Sequence, residues 1–121
     1  MDGWIKLHRK LLDSDLWISD NHLAKCLFIT CILKANHKQR FVPIKGSYGV
    51  YVERGSFITS IRKLAREYNC TTKTVSKTLE LLKNMGNLET VSRTLYTVVK
   101  VVNYDKYQPL NVNNGNSEYD S

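Results

Sequence analysis

The stretch that most constrains this chain runs from Thr59 to Gly86, TSIRKLAREYNCTTKTVSKTLELLKNMG, with Ile58 leading into it. Ile61, Leu64, Ala65 and Tyr68 recur at helical spacing, and Ser60 or Thr59 can cap the start through a side-chain oxygen. No Glu or Gln follows the cap by three residues, so the capping box is incomplete. Asn69-Cys70 then breaks the pattern, and Asn tolerates the left-handed backbone of a sharp helix exit. Thr71 supplies a hydroxyl cap for a second helix, in which Val75, Leu79 and Leu82 form the inward stripe. The spacing predicts two helices joined by a tight turn, with Ala65 small where they must come close.

That stripe turns Thr72, Lys73, Ser76, Lys77, Glu80 and Lys83 outward. Short hydroxyls on the first turns can approach base edges or phosphates, and lysines meet the phosphate backbone. These residue types therefore suit a helix lying in a major groove, although an ordinary helical hairpin would carry a solvated polar face of similar make-up. Charge favours the groove. The stretch holds six Lys or Arg against two Glu, within a chain of 121 residues, net charge +7 and pI near 9.4.

The flanks supply strands. After Gly86, Leu88 to Val91 and Leu95 to Val102 read as two strands about Ser92-Arg93-Thr94, with Phe57-Ile58-Thr59 as a third. A hairpin directly after a recognition helix is the wing of a winged helix, and Arg93 at its tip is placed for a minor groove or a phosphate. The expected DNA-binding set is therefore Ser60, Thr71, Thr72, Lys73, Ser76, Lys77 and Arg93.

Upstream, Trp4 to Leu12 is expected as a short amphipathic helix with Lys6, Arg9 and Lys10 between its apolar residues, ended by Asp13-Ser14-Asp15. Trp17 is expected to pack in the core of the connection. Asp20 or Asn21 caps a helix running to about Ala35, with Leu23, Ala24, Leu27, Phe28, Cys31, Ile32 and Ala35 as its core stripe. Cys26, Ile29 and Leu33 widen that apolar surface, so this helix is either central in the fold or partly covered by a second subunit. Phe41 to Lys45 and Tyr48 to Val52 form a hairpin around Gly46-Ser47, Pro43 marking an edge position. Glu53-Arg54-Gly55 is a turn.

The remaining chemistry is sparse. Cys26, Cys31 and Cys70 form no CxxC pair, and His22 with Cys26 at i, i+4 lacks a second pair of ligands, so no metal or cofactor is expected. His8, His22 and His37 fall on separate elements, and no nucleophile–base pattern appears, which argues against an enzyme. MDGWIKLHRK lacks the apolar core of a signal peptide, and CLFITCIL is too short to span a bilayer. The expectation is a reduced, cytoplasmic protein with no membrane partner.

GWIKLHRKLLDSDLW, ILKANHK, RGSFITSIRKLA, TVSKTLELLKNMG and NYDKYQ together resemble the amino-terminal domain of phage replisome organisers. That family is similar to the winged-helix amino-terminal domain of DnaD-type primosome proteins. The resemblance covers Gly3 to about Gln108, and the opening phrase and closing NYDKYQ make it specific. It implies binding of double-stranded DNA at a replication origin of phage or plasmid-like DNA inside a bacterial host. It also implies recruitment of a host helicase loader or other replication protein, and self-association of the domain. Longer members continue into a second region associated with recruitment, while this sequence ends at Ser121; the expectation is a winged helix acting alone. Asn69 stands where the turn more usually has glycine.

The reading is thus an α+β fold, a winged helix-turn-helix with extra N-terminal helices and a β-hairpin over residues 1–109, followed by a disordered polar tail over 110–121. Its expected function is sequence-specific, non-enzymatic DNA binding in replication initiation. Two alternatives stand beside it: a small winged-helix transcriptional regulator using the same surface, and a module that captures a host replication or repressor protein.

Overall fold

The computed structural model describes residues 3–109; the expected tail, 110–121, lies outside the described residues. The described residues form a mixed α+β unit of five α-helices and two antiparallel sheets. Helix α1 spans Asp15–Ile18, α2 His22–Lys34, α3 Ile61–Glu67, α4 Thr72–Asn84 and α5 Tyr104–Tyr107. Strands β1 (Arg40–Val42) and β2 (Val50–Val52) make a separate hairpin. Strands β3 (Ser56–Thr59), β4 (Leu88–Ser92) and β5 (Thr97–Val101) form a sheet in the order β3-β5-β4. Among the described residues no helix is long and apolar enough to cross a membrane.

Helix α2 is the centre of the core. Asn21 caps it, its Oδ1 accepting from the Ala24 amide at 2.9 Å. Ala24, Leu27, Phe28, Cys31 and Ile32 are buried against Leu64, Val75, Leu82, Val99 and Val101 of the surrounding elements. Leu33 and Cys26 remain exposed on the opposite flank. The stripe expected from periodicity is therefore the buried one, except that Leu23 and Ala35 are only half-buried. In α1 the fully buried residue is Leu16; Trp17 is half-buried, with the Lys25 ammonium 5.6 Å from its ring centre.

The amino terminus corrects the expected helix over Trp4 to Leu12. Only a 3₁₀-helical turn forms, Arg9–Asp13, and residues 3–8 before it have no regular secondary structure. The reason lies in two backbone groups. A helix through Lys6 would pair its carbonyl with the Lys10 amide four residues on. Here the Lys10 amide donates to His8 Nδ1 at 3.1 Å, while the Lys6 carbonyl accepts from Gln108 Nε2 at 2.7 Å. The Lys6 amide in turn donates to Gln108 Oε1 at 2.9 Å. A buried glutamine 102 residues away thus holds this segment as a strand would.

That glutamine belongs to a clip built around Arg54. Asn103 in the left-handed region (φ +61°) turns the chain into α5, which lays the buried Tyr104 over the β2–β3 turn. The Arg54 guanidinium sits 4.9 Å from the Tyr104 ring centre and donates to Asp105 Oδ1 and to the His37 carbonyl, each at 2.7 Å. It also donates to the Gln108 carbonyl. Tyr107 meets the Phe28 ring edge-to-face at 6.0 Å, tying the clip to α2.

The β1–β2 hairpin is present with a shifted turn. Its strands are three residues each, paired Arg40↔Val52, Phe41↔Tyr51 and Val42↔Val50. A strict two-residue turn at Gly46-Ser47 would have paired Val42 with Tyr51; instead 43–49 is a loop, closed by the Ser47 amide donating to the Ile44 carbonyl at 2.9 Å. Gly49, at φ +141°, supplies the extra bend. Pro43 lies just past β1 in that loop.

Candidate nucleic-acid interface

The surface is carried by α3, the turn after it, and α4. Ser60 caps α3, its Oγ accepting from the Lys63 amide at 3.0 Å. The exit from α3 places Asn69 at φ +54°, with the Asn69 amide donating to the Arg66 carbonyl at 3.2 Å and the Cys70 amide to the Ala65 carbonyl at 2.9 Å. This pair of bonds closes a Schellman motif, so Asn does here what glycine usually does. Thr71 then caps α4, its Oγ1 accepting from the Thr74 amide at 3.1 Å and bonded to the Thr74 hydroxyl at 2.9 Å. The end of α4 repeats the Schellman geometry with Gly86 at φ +81°, the Asn87 amide reaching the Leu82 carbonyl at 2.9 Å.

Packing then decides which faces are left. Leu64 and Ala65 of α3 and Val75, Leu79 and Leu82 of α4 are buried. Thr78, outside the expected stripe, joins them, its hydroxyl satisfied by donating to the Thr74 carbonyl at 2.8 Å. A second tie fixes α3 on α2. Tyr68 Oη donates to the Cys26 carbonyl at 3.2 Å and contacts the Thr30 hydroxyl, and Lys34 meets both Glu67 oxygens at 2.8 and 2.9 Å. Burial pushes the Tyr68 phenol above its ordinary value, and the Thr30 hydrogen bond opposes that shift.

What remains outside is a compact polar set. Thr72, Lys73, Ser76 and Lys77 are all exposed on the first turns of α4, as two adjacent i, i+4 pairs. Arg62, Lys63 and Arg66 are exposed on α3. Lys83 differs, because its ammonium lies 3.8 Å from Glu80 Oε1. The two cap hydroxyls are not free to the same degree. Thr71 is exposed but shares its hydroxyl with Thr74 besides accepting an amide, whereas Ser60 is half-buried and accepts only an amide, keeping its O–H and one lone pair for another partner.

Arg93 stands apart from this set. It is exposed in the turn between β4 and β5, where its amide donates to the Tyr96 carbonyl at 2.8 Å. Thr97 pairs with both Ser92 and Thr59, so the turn that carries Arg93 lies at the end of the sheet from which Ser60 and α3 leave. Six of the seven expected contact residues thus share the two-helix unit, and the seventh lies on a separate projection.

His22 and Cys26 are both exposed, and among the described residues no three His, Cys, Asp or Glu side chains come together as a metal site would need. Arg54 falls in the turn expected at Glu53-Arg54-Gly55, and its role in holding NYDKYQ has no local signal in the sequence. Its acceptors at His37, Asp105 and Gln108 lie 17, 51 and 54 residues away from it in the sequence.

Compared with protein-family models, curated proteins and solved structures, the chain finds no match in any of the three.

Proposed function

We propose that this chain is a winged-helix, sequence-specific DNA-binding protein without enzymatic activity. The single observation that carries the reading is the exposed face of α4. Lys73 and Lys77 have no carboxylate partner among the described residues, and Thr72 and Ser76 stand beside them. Supporting it, β3 precedes α3 and α4, the β4–β5 hairpin follows them, and the three strands pair in the order β3-β5-β4, an arrangement compatible with a winged helix whose wing is β4–β5. In this reading α4 is the recognition helix. Its lysines neutralise phosphates, its hydroxyls and lysines approach bases, and Arg93 meets the backbone or the minor groove beside it.

The setting we propose is initiation of DNA replication in a phage or mobile element, within a bacterial host. The resemblance of the opening GWIKLHRKLLDSDLW and the closing NYDKYQ to replisome organisers supports that setting. Selection of bound sequences from random duplex DNA tests the reading. Recovery of one motif that maps to a replication origin in the source genome is the expected result. A motif mapping to promoters would replace replication with transcriptional control, and failure to recover any motif would overturn sequence-specific binding.

A further inference from the structure

We propose that the β1–β2 hairpin is a stacking platform for unpaired nucleic-acid bases, a second site separate from the α4 face. Its surface is aromatic. Tyr48 and Tyr51 are 87% and 67% exposed, the Phe41 ring lying 5.3 and 5.2 Å from theirs. Gly49 makes this arrangement possible, because a Cβ there would collide with the Phe41 ring and lie 2.9 Å from the Val42 carbonyl oxygen. Phe41 is thereby wedged under the loop as a brace, and the two tyrosines are left with open ring faces.

Charge identifies the occupant. Residues 38–52 hold Lys38, Arg40 and Lys45, all exposed, and no acidic side chain. A cluster of exposed rings in a segment carrying only positive charge matches a polyanion whose units have flat apolar faces. Single-stranded nucleic acid has that chemistry, bases on aromatic rings and phosphates on cations. A duplex does not, since its bases cover one another's faces and offer only edges in the grooves. The loop also neighbours the tip that carries Arg93, because a Cβ on Gly46 would touch Leu95 Cδ1 at 3.8 Å. The platform therefore lies beside the wing of the proposed duplex-binding surface, where a strand separated from a bound duplex would emerge.

The test uses the whole chain and labelled oligothymidine of about 12 nucleotides, within the span such sites cover. Fluorescence anisotropy should show saturable binding. The Tyr48→Ala, Tyr51→Ala pair should weaken it by about tenfold or more, and the Tyr48→Phe, Tyr51→Phe pair should preserve it. An iodouracil-substituted strand, irradiated with the unaltered protein, should form adducts at Tyr48 or Tyr51, which keeps the test independent of how the variants fold. Absence of oligothymidine binding, or equal binding by the alanine pair, would overturn the proposal, as would adducts confined to α4. So would loss of self-association in the alanine pair with oligothymidine binding unchanged, which would make the hairpin a protein interface. Duplex binding lost on Lys73→Ala, Lys77→Ala reports on α4 alone, so the two sites fail separately.

Discussion

Lys73 and Lys77 reach solvent and form no ion pair among the described residues, whereas Lys83 lies 3.8 Å from Glu80. If α4 enters the groove by its first turns, Lys73→Ala and Lys77→Ala should each weaken binding on every duplex and lower the salt slope by about one unit. Lys83→Ala should do less. Thr72→Ala or Ser76→Ala should instead change which sequences are preferred, by roughly 1–3 kcal/mol for a lost base contact. Anisotropy across a salt series separates the two kinds of loss, and a double lysine variant binding like the parent would remove α4 as the recognition helix. Arg54 sits at the other extreme, spending its donors inside the molecule. Arg54→Ala leaves the His37 and Gln108 carbonyls without their shared donor and uncovers the Tyr104 ring. A cost of about 2 kcal/mol is expected, read as a lower urea midpoint, and Arg54→Lys should recover little of it because an ammonium cannot serve that planar set of acceptors.

Helices α3 and α4 end, and the β2–β3 turn bends, where the backbone turns left-handed at Asn69, Gly86 and Gly55, and the cost of altering such positions depends on what surrounds them. Gly86, at φ +81°, has nothing within 4 Å of the place a Cβ would occupy, so Gly86→Ala should pay for backbone strain alone, about 1 kcal/mol. Gly55 has nearly the same φ, +83°, but its added Cβ would lie 2.9 Å from Tyr104 Cβ and 3.0 Å from Cγ. Gly55→Ala should therefore cost strain plus displacement of α5, roughly 2–4 kcal/mol in all. Thermal melts of the two variants should rank in that order; equal losses would mean that Tyr104 moves aside freely. The same contrast explains why the β2–β3 turn, unremarkable as Glu53-Arg54-Gly55 in the sequence, organises the carboxyl-terminal clip.

Across the whole molecule, the core is closed over α2, and its one buried thiol should make stability depend on alkaline pH. Burial pushes Cys31 up from the ordinary 9.0 to about 12, with Lys34 opposing the shift. The folded value lies above the unfolded one, so this contribution is whole below pH 9.0 and is lost as pH rises toward about 12. Between those limits the unfolded chain releases a proton that the folded chain keeps, and stability should fall by about 1 kcal/mol per pH unit. Tyr68 and Tyr104 are raised by burial as well, so they should add to the decline once their own ordinary value of 10.0 is passed. Urea unfolding at a series of alkaline pH values measures the slope. In Cys31→Ala the fall should be shallower than in the parent, although a small cavity lowers the starting stability; an unchanged slope would show that the thiol does not carry it.

By itself the sequence determined what depends on neighbours in the chain. Helical periodicity set most of the buried residues of α2, α3 and α4, though not Thr78; the caps were narrowed to Ser60 or Thr59, Asp20 or Asn21, and Thr71, and Asn69 and Gly86 marked two helix exits. Strand preference found the hairpin of β4 and β5 and the strand that pairs with it, since each of these signals repeats within a few residues. Because the candidate DNA face is what the inward stripe of α4 leaves over, it too could be read from spacing. Tertiary structure alone decided the rest. The non-helical segment before Arg9 follows from Gln108 taking both backbone groups of Lys6, and a local pattern of Trp, Ile and Leu cannot contain a partner 102 residues away. The register that sets Phe41 opposite Tyr51 depends on a loop of seven residues bent at Gly49, and one residue of slip reverses which face each ring shares. Arg54 is the clearest case: its acceptors come from His37 after α2 and from Asp105 and Gln108 at α5, so its role exists only once the chain has closed on itself.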